Sequence, residues 1–216
     1  EYDMENVQQP ALATSYDVSD DGLTYTFHLR EGAKWVNYKG EVIGEVTADD
    51  WVAGMQHLLD AADNGTGSLV CGDAFSIVNA AQYMNGEITD FSQVGVKALD
   101  DYTLEYKLEE ACPFFLTIFG YNPFAPMNRA FFLSEGGKFG LDDYAAATES
   151  ETYTYGTGPE HIAYNGPYLV TNHTENNVIV YSANPNYWNA DNVTIKTITF
   201  VYNDGSDSLK AYHDAM

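Results

Sequence analysis

Residues 23–29, LTYTFHL, alternate with period two, and this pattern limits the fold more than any other feature of the chain. Leu23, Tyr25, Phe27 and Leu29 fall on one face, with Thr24, Thr26 and His28 on the other. Aromatic and β-branched residues in strict alternation specify a strand with one buried face. The preceding DVSDDG, residues 17–22, presents Asp17, Ser19 and Asp21 at alternate positions and a closing Gly22, which imitates the first half of a calcium loop. An EF-hand needs a helix on each side and a bidentate Glu at the twelfth position of the loop. That position is His28, a poor ligand for a hard cation, and the flanks are strands. Tyr16 and Val18 continue the alternation upstream, so SDDG is the turn of a hairpin, with Asp-Gly as its signal.

A second hairpin is expected in VGVKALDDYTLEYKL, from Val94 to Leu99 and then Leu104, Tyr106 and Leu108, turning at Asp100-Asp101. Between the hairpins, residues 31–46 read as turn-rich text. Thr47-Ala48-Asp49-Asp50 then approximates a capping box, worth about 1 kcal/mol. Trp51, Met55, Leu58, Leu59 and Ala62 recur at helical spacing, which predicts a helix over 48–62. A second helix is expected over about 74–84, ended by Asn85-Gly86, and a short apolar one in CPFFLTIFG with Pro113 in its first turn. YNPFAPMN holds two prolines and predicts extended chain, the best candidate for a domain crossing. Residues 134–158 look like a polar surface excursion with an Ala-rich helix inside. Three strands (166–174, 177–184 and 195–203) and a final helix in SDSLKAYHDAM complete the pattern.

Charge and motifs remove whole classes of function. With 9 basic and 32 acidic residues the net charge is −23, which repels phosphate backbones and anionic headgroups, so no nucleic-acid partner is expected. No apolar run approaches the length of about 18 residues that spans a membrane. EYDMENVQQP carries no signal peptide and no initiator Met, the start expected of a processed or trimmed piece. Cys71 and Cys112 could pair, or remain free and buried. The five histidines are scattered, no zinc, phosphate-loop, dinucleotide or nucleophile-elbow motif occurs, and no cofactor is called for. NGT, NHT and NVT match the glycosylation acceptor pattern, which arises often by chance. The 17 Tyr, 11 Phe and 3 Trp serve mainly as core, although some could line a ligand cleft.

The order of four segments carries a resemblance. LATSYDVSDDGLTYTFHLREGAKW, VTADDWVAGMQHLLD, VGVKALDDYTLEYKLEEACPFF and YNGPYLVTNHTENNVIVYSANPNYWNADNVTIKTITFVY follow one another nearly end to end. In that order they resemble the extracytoplasmic solute-binding proteins of peptide ABC transporters. Residues 37–46 are longer than the short Asp-Gly turn usual in that family, and 134–158 looks inserted.

The resemblance implies a mixed α/β fold: part of a lobe of the type II periplasmic-binding-protein kind, with the accessory subdomain of the dipeptide-binding type. It places the subdomain at 1–130 and part of the first lobe at 131–216. It also implies a fragment, lacking a lipoprotein signal with a first strand-helix unit and a second, C-terminal lobe. The expected role is non-enzymatic: capture of short peptides outside the membrane, in the periplasm or as a cell-surface lipoprotein, and delivery to permease subunits. Family position assigns ligand contact to the loop Ser68-Leu69-Val70 and to Asn165, Gly166 and Tyr168 of the NGPY turn. Without the resemblance, the first is an ordinary surface loop and Gly166 serves backbone geometry. A carbohydrate-binding or adhesin module, a glycoside hydrolase and a receptor for a non-peptide solute are the rival expectations; the first predicts all-β structure.

Overall fold

The computed structural model describes residues 9–61, 65–72 and 75–202. Along the chain its strands are β1 (Ala13–Val18), β2 (Thr24–Leu29), β3 (Lys34–Val36), β4 (Val42–Glu45), β5 (Cys71–Gly72) and β6 (Phe75–Ser76), followed by β7 (Val96–Asp100), β8 (Thr103–Lys107), β9 (Tyr168–Thr174), β10 (Val178–Ala183) and β11 (Thr197–Val201). The helices are α1 (Ala48–Asp60), α2 (Ala80–Met84), α3 (Arg129–Ser134) and α4 (Leu141–Thr148). The fold is mixed α/β, as the sequence predicts, and α1 excludes the all-β alternative. The expected C-terminal helix lies outside the described residues.

Contacts divide the chain into two compact units: residues 1–32 with 46–154, and 33–45 with 155–216. This division differs from an expected crossing at 130, because residues 131–154 pack on the first unit. Thr154 N donates to Glu135 O at 2.9 Å, Gly140 N to Asp60 Oδ2 at 2.8 Å, and Arg129 holds Asp49 through two bonds of 2.6 and 2.9 Å.

In the first unit the two hairpins lie side by side. β2 pairs with β8 in antiparallel register, Tyr25 opposite Tyr106 and Phe27 opposite Leu104, so the sheet runs β1-β2-β8-β7. The period-two face is the buried one: Tyr25, Phe27, Leu29, Leu104 and Tyr106 are all in the core. In the DVSDDG turn Gly22 takes φ +69°, and the Asp21 carboxylate accepts from the Ser19 hydroxyl at 2.6 Å and Leu23 N at 3.0 Å. Those bonds hold its pKa below the ordinary carboxylate value. The Asp21 side chain is thus part of the turn. Over the sheet sits an aromatic cluster in which Phe115 meets the rings of Tyr25, Phe75, Tyr106, Phe119 and Phe124 at centroid distances of 4.7–6.2 Å.

Helix α1 begins where the capping box predicts, with the Asp50 carboxylate accepting from Thr47 N at 2.9 Å. Trp51, Met55 and Leu59 are buried. Gly54 explains a place where the helix departs from good propensity: a Cβ there would lie 2.6 Å from Ala125 O, in backbone that passes directly over the helix. Gly→Ala in an open helix stabilises by about 1 kcal/mol, but overpacking against fixed backbone costs about 1–3 kcal/mol. Gly54→Ala is therefore expected to lower the melting temperature by several degrees in a thermal scan. A rise would show that residues 124–127 are free to move off the helix.

Three predicted elements change character. The expected helix over 74–84 is only Ala80–Met84. Phe75 and Ser76 pair instead with Gly72 and Cys71, and Asn79 sits in the left-handed region at φ 60°, which ends any helix running through it. The apolar helix after Pro113 is a 3₁₀ turn over Phe115–Gly120, with Pro113 ahead of it. YNPFAPMN is not wholly extended, since Asn122–Phe124 forms a further 3₁₀ turn.

The second unit contains a hairpin where turn-rich text was expected. β3 pairs with β4, and the Asn37 side-chain oxygen accepts from Lys39 N and Glu41 N to shape the turn. The hairpin is tied to the later chain by reciprocal Val36–Tyr164 backbone bonds of 2.8 Å and by Asn186 Nδ2 donating to Gly40 O at 2.9 Å. The three predicted strands form an antiparallel sheet in the order β11-β10-β9.

Candidate ligand groove

Two short turns of the first unit build a groove, and both are anchored by buried side chains. In the turn Gly67–Val70, Gly67 and Val70 are buried, and Val70 O accepts from Ile77 N at 3.0 Å. That anchoring leaves Leu69 outward and half exposed, at 48%. The opposite wall comes from the turns Phe115–Gly120 and Asn122–Phe124, pinned by Phe115 and Phe124 in the aromatic cluster. Between these anchors Tyr121 is 66% exposed.

Thr66, Leu69, Gly120, Tyr121 and Pro123 line an open groove of about 420 Å³. That volume lies toward the small end of the range of about 300–1,000 Å³ found for small-molecule sites. The lining is aliphatic and aromatic, with two hydroxyls and no ionised group. It offers contact area and hydrogen bonds; none of the five side chains is a general acid or base near neutral pH. The arrangement is suited to holding a ligand.

Cys71 follows the first turn directly. It and Cys112 are both free. Burial, with the Glu109 charge adding to it, pushes the Cys71 thiol up to about 11. Since the thiolate is the reacting form, Cys71 is expected to react with a disulfide reagent at pH 8 at least tenfold more slowly than cysteine in an unfolded control of the same chain. Equal rates would contradict its burial.

Of the residues singled out from sequence, Leu69 lines the groove. Ser68 is exposed beside it but outside the lining, and Val70 is fully buried, so its side chain is an anchor and not a contact. Asn165, Gly166 and Tyr168 belong to the second unit. Gly166 O accepts from Asn184 Nδ2 at 2.9 Å, and the Tyr168 hydroxyl donates to Ile195 O at 3.1 Å. Asn165 Nδ2 is buried without a hydrogen-bond partner. Gly166 does not take a left-handed φ, and a Cβ there would meet nothing within 4 Å, so the expectation that it is glycine for backbone geometry is not supported. Thr66, Gly120, Tyr121 and Pro123 escaped sequence reasoning; the two walls are some fifty positions apart, and no local pattern joins them.

Residues 8–214 match the family described as bacterial extracellular solute-binding proteins, family 5 Middle. The chain is 40% identical over 198 residues to the oligopeptide-binding protein AmiA of Streptococcus pneumoniae, covering 92% of this chain and 27% of that protein. The substrate-binding domain of an oligopeptide ABC transporter from Bacillus anthracis superposes with a TM-score of 0.71 at 31% identity, over 90% of this chain and 33% of that one. Listeria monocytogenes OppA, solved bound to peptide, gives 0.73 at 27% identity, over 93% and 35%. The chain thus spans about a third of the length of these relatives. With a match over nearly all its residues and a shared fold, the chain belongs to the family 5 bacterial extracellular solute-binding proteins.

Proposed function

We propose that this chain is part of the substrate-binding component of an ABC importer, which captures short peptides outside the membrane and hands them to permease subunits. The observation that carries this function is the uncharged groove beside Leu69, built for contact and without acid–base groups, in a chain whose relatives are named for binding oligopeptides. The protein acts as a receptor and not as an enzyme. Its place is the periplasm or the cell surface, where a lipid anchor would keep it near the permease.

In this function the first compact unit, residues 1–32 with 46–154, acts as the accessory subdomain and the second, residues 33–45 with 155–216, as part of a first lobe, with a C-terminal lobe of the same protein supplying the other wall of a clamp. Leu69 and Ser68 face the ligand from the rim, Val70 anchors them, and Asn165, Gly166 and Tyr168 support the fold of the second unit. Main-chain hydrogen bonds would hold a peptide with little regard to sequence, and wet pockets tolerate varied side chains.

Calorimetric titration with a mixed library of short peptides tests this directly. Saturable binding weaker than about 1 µM, a free energy smaller in size than about 8 kcal/mol, is expected for these residues alone, because one wall leaves most of a peptide in water. Silence with peptides alongside saturable heat from an oligosaccharide, or turnover of a chromogenic glycoside, would overturn the peptide assignment.

A further inference from the structure

Gly166 follows an asparagine, and that pairing is reactive. In an Asn-Gly step the glycine amide nitrogen can attack the asparagine side-chain carbon, because no Cβ on the second residue blocks the approach. Asn85-Gly86 and Asn165-Gly166 both lie within the described residues, whereas Asn64 of the remaining Asn-Gly step lies outside them. The two steps differ in what holds the attacking nitrogen. Gly86 N donates to Tyr83 O and Asn85 N to Ala81 O, each at 2.9 Å, so that step is fixed at the end of α2. Among the described residues no group accepts from Gly166 N, and Asn165 Nδ2 has no hydrogen-bond partner. Asn165 and Gly166 are both partly exposed, and the space beside Gly166 is open, since a Cβ there would meet nothing within 4 Å.

We infer that Asn165-Gly166 is a site of spontaneous deamidation, a covalent modification that consumes only water. Gly166 N bonds to Asn165 Cγ, its proton and the Nδ2 group leave as ammonia, and a cyclic imide closes. Water then opens the imide at either carbonyl. One opening leaves aspartate at position 165; the other leaves isoaspartate, whose main chain runs through the former side-chain carbon. No oxidation or reduction takes place. The aspartate product puts a carboxylate oxygen where Nδ2 is buried, at a desolvation cost, and the isoaspartate product lengthens the main chain by one methylene. Either change falls on a hub of the second unit. Asn184, 1% exposed, donates from its backbone N to Pro167 O at 2.8 Å and from Nδ2 to Gly166 O at 2.9 Å. Nearby, Tyr164 exchanges backbone bonds with Val36, and Asn186 Nδ2 donates to Gly40 O. Deamidation thus loosens the tie between the NGPY turn, the end of β10 and the β3–β4 hairpin.

The test is prolonged incubation of the 216-residue chain at mildly alkaline pH, with peptide mapping by mass spectrometry and enzymatic methylation to count isoaspartate. Asn165 is expected to deamidate at least about fivefold faster than Asn85, the ratio set by the hydrogen bond that Gly86 N must break. In the urea-unfolded chain that bond is gone, and the two rates are expected to converge. Gly166→Ala adds a Cβ that meets nothing and asks for no left-handed backbone, so the variant folds. It is expected to slow Asn165 to below the rate of Asn85. Asn165 reacting no faster than Asn85 in the folded chain, or at an unchanged rate in Gly166→Ala, would overturn the site. The deamidated fraction, separated by anion exchange, is expected to melt at a lower temperature than the fresh protein; an unchanged melting temperature would overturn the loosening.

Discussion

Phe115→Ala is expected to destabilise the first unit by about 4 kcal/mol, a fall in melting temperature of about 8–16 °C for a chain of this size. Phe115 is fully buried and touches five other rings, from strands β2, β6 and β8 and from the turns that follow. Removing it leaves a cavity walled by rigid aromatic groups that cannot collapse, so the cost belongs near the top of the range for such changes. The cavity also undermines the groove, because the turn carrying Gly120 and Tyr121 is anchored by this side chain. Thermal unfolding followed by tyrosine fluorescence would measure the loss. A shift under 3 °C would mean that the cluster repacks freely and does not organise the groove.

Asp60 gives the second large effect. Its carboxylate is 1% exposed and ties three elements together, accepting from the Tyr83 hydroxyl at 2.6 Å and from Gly140 N at 2.8 Å. Asp60→Ala would leave both donors buried and unsatisfied, a loss of about 3 kcal/mol. Asp60→Asn keeps an acceptor for Gly140 and a partner for Tyr83, and is expected to fold normally. Its interest lies in pH. Burial raises the Asp60 pKa, outweighing the two hydrogen bonds that oppose the rise. A carboxyl with a raised folded pKa contributes stability that is fully present below its unfolded value and is lost as pH rises through the folded value. The Asn variant lacks this dependence. Its melting temperature relative to the wild type should therefore be higher at pH 7 than at pH 4. His57, one turn earlier on α1 and packed against Phe132 and Tyr144, has its pKa lowered by burial and destabilises both proteins alike on acidification. The difference between the two proteins cancels its effect. A difference that is flat with pH would contradict the ionisation of a buried Asp60.

Much of the fold was legible where a local pattern and the tertiary environment agree. Leu23 to Leu29 and Leu104 to Leu108 alternate because one face of each strand is buried, and the Thr47–Asp50 box marks a helix start by its own hydrogen bonds. The failures have physical causes of equal clarity. Phe75, Ile77 and Val78 carry a helix-like spacing, yet Phe75 and Ser76 are taken by a two-residue ladder and Asn79 turns left-handed. β3 and β4 are only three and four residues long, and Gly44 interrupts their apolar pattern, so no window could show them. The family order of the segments placed Leu69 at a lip, but Val70 beside it points into the core, a distinction that depends on the turn Gly67–Val70. The groove's opposite wall was illegible because Tyr121 and Pro123 meet Leu69 only through the packing of Phe115 and Phe124.

The central claim is that the ligand is a peptide. Mass spectrometry of small molecules that co-purify with the protein, isolated at its native length, tests that claim most directly. A ladder of short peptides is the expected result. Oligosaccharides or a metal chelate in their place would keep the fold and contradict the function.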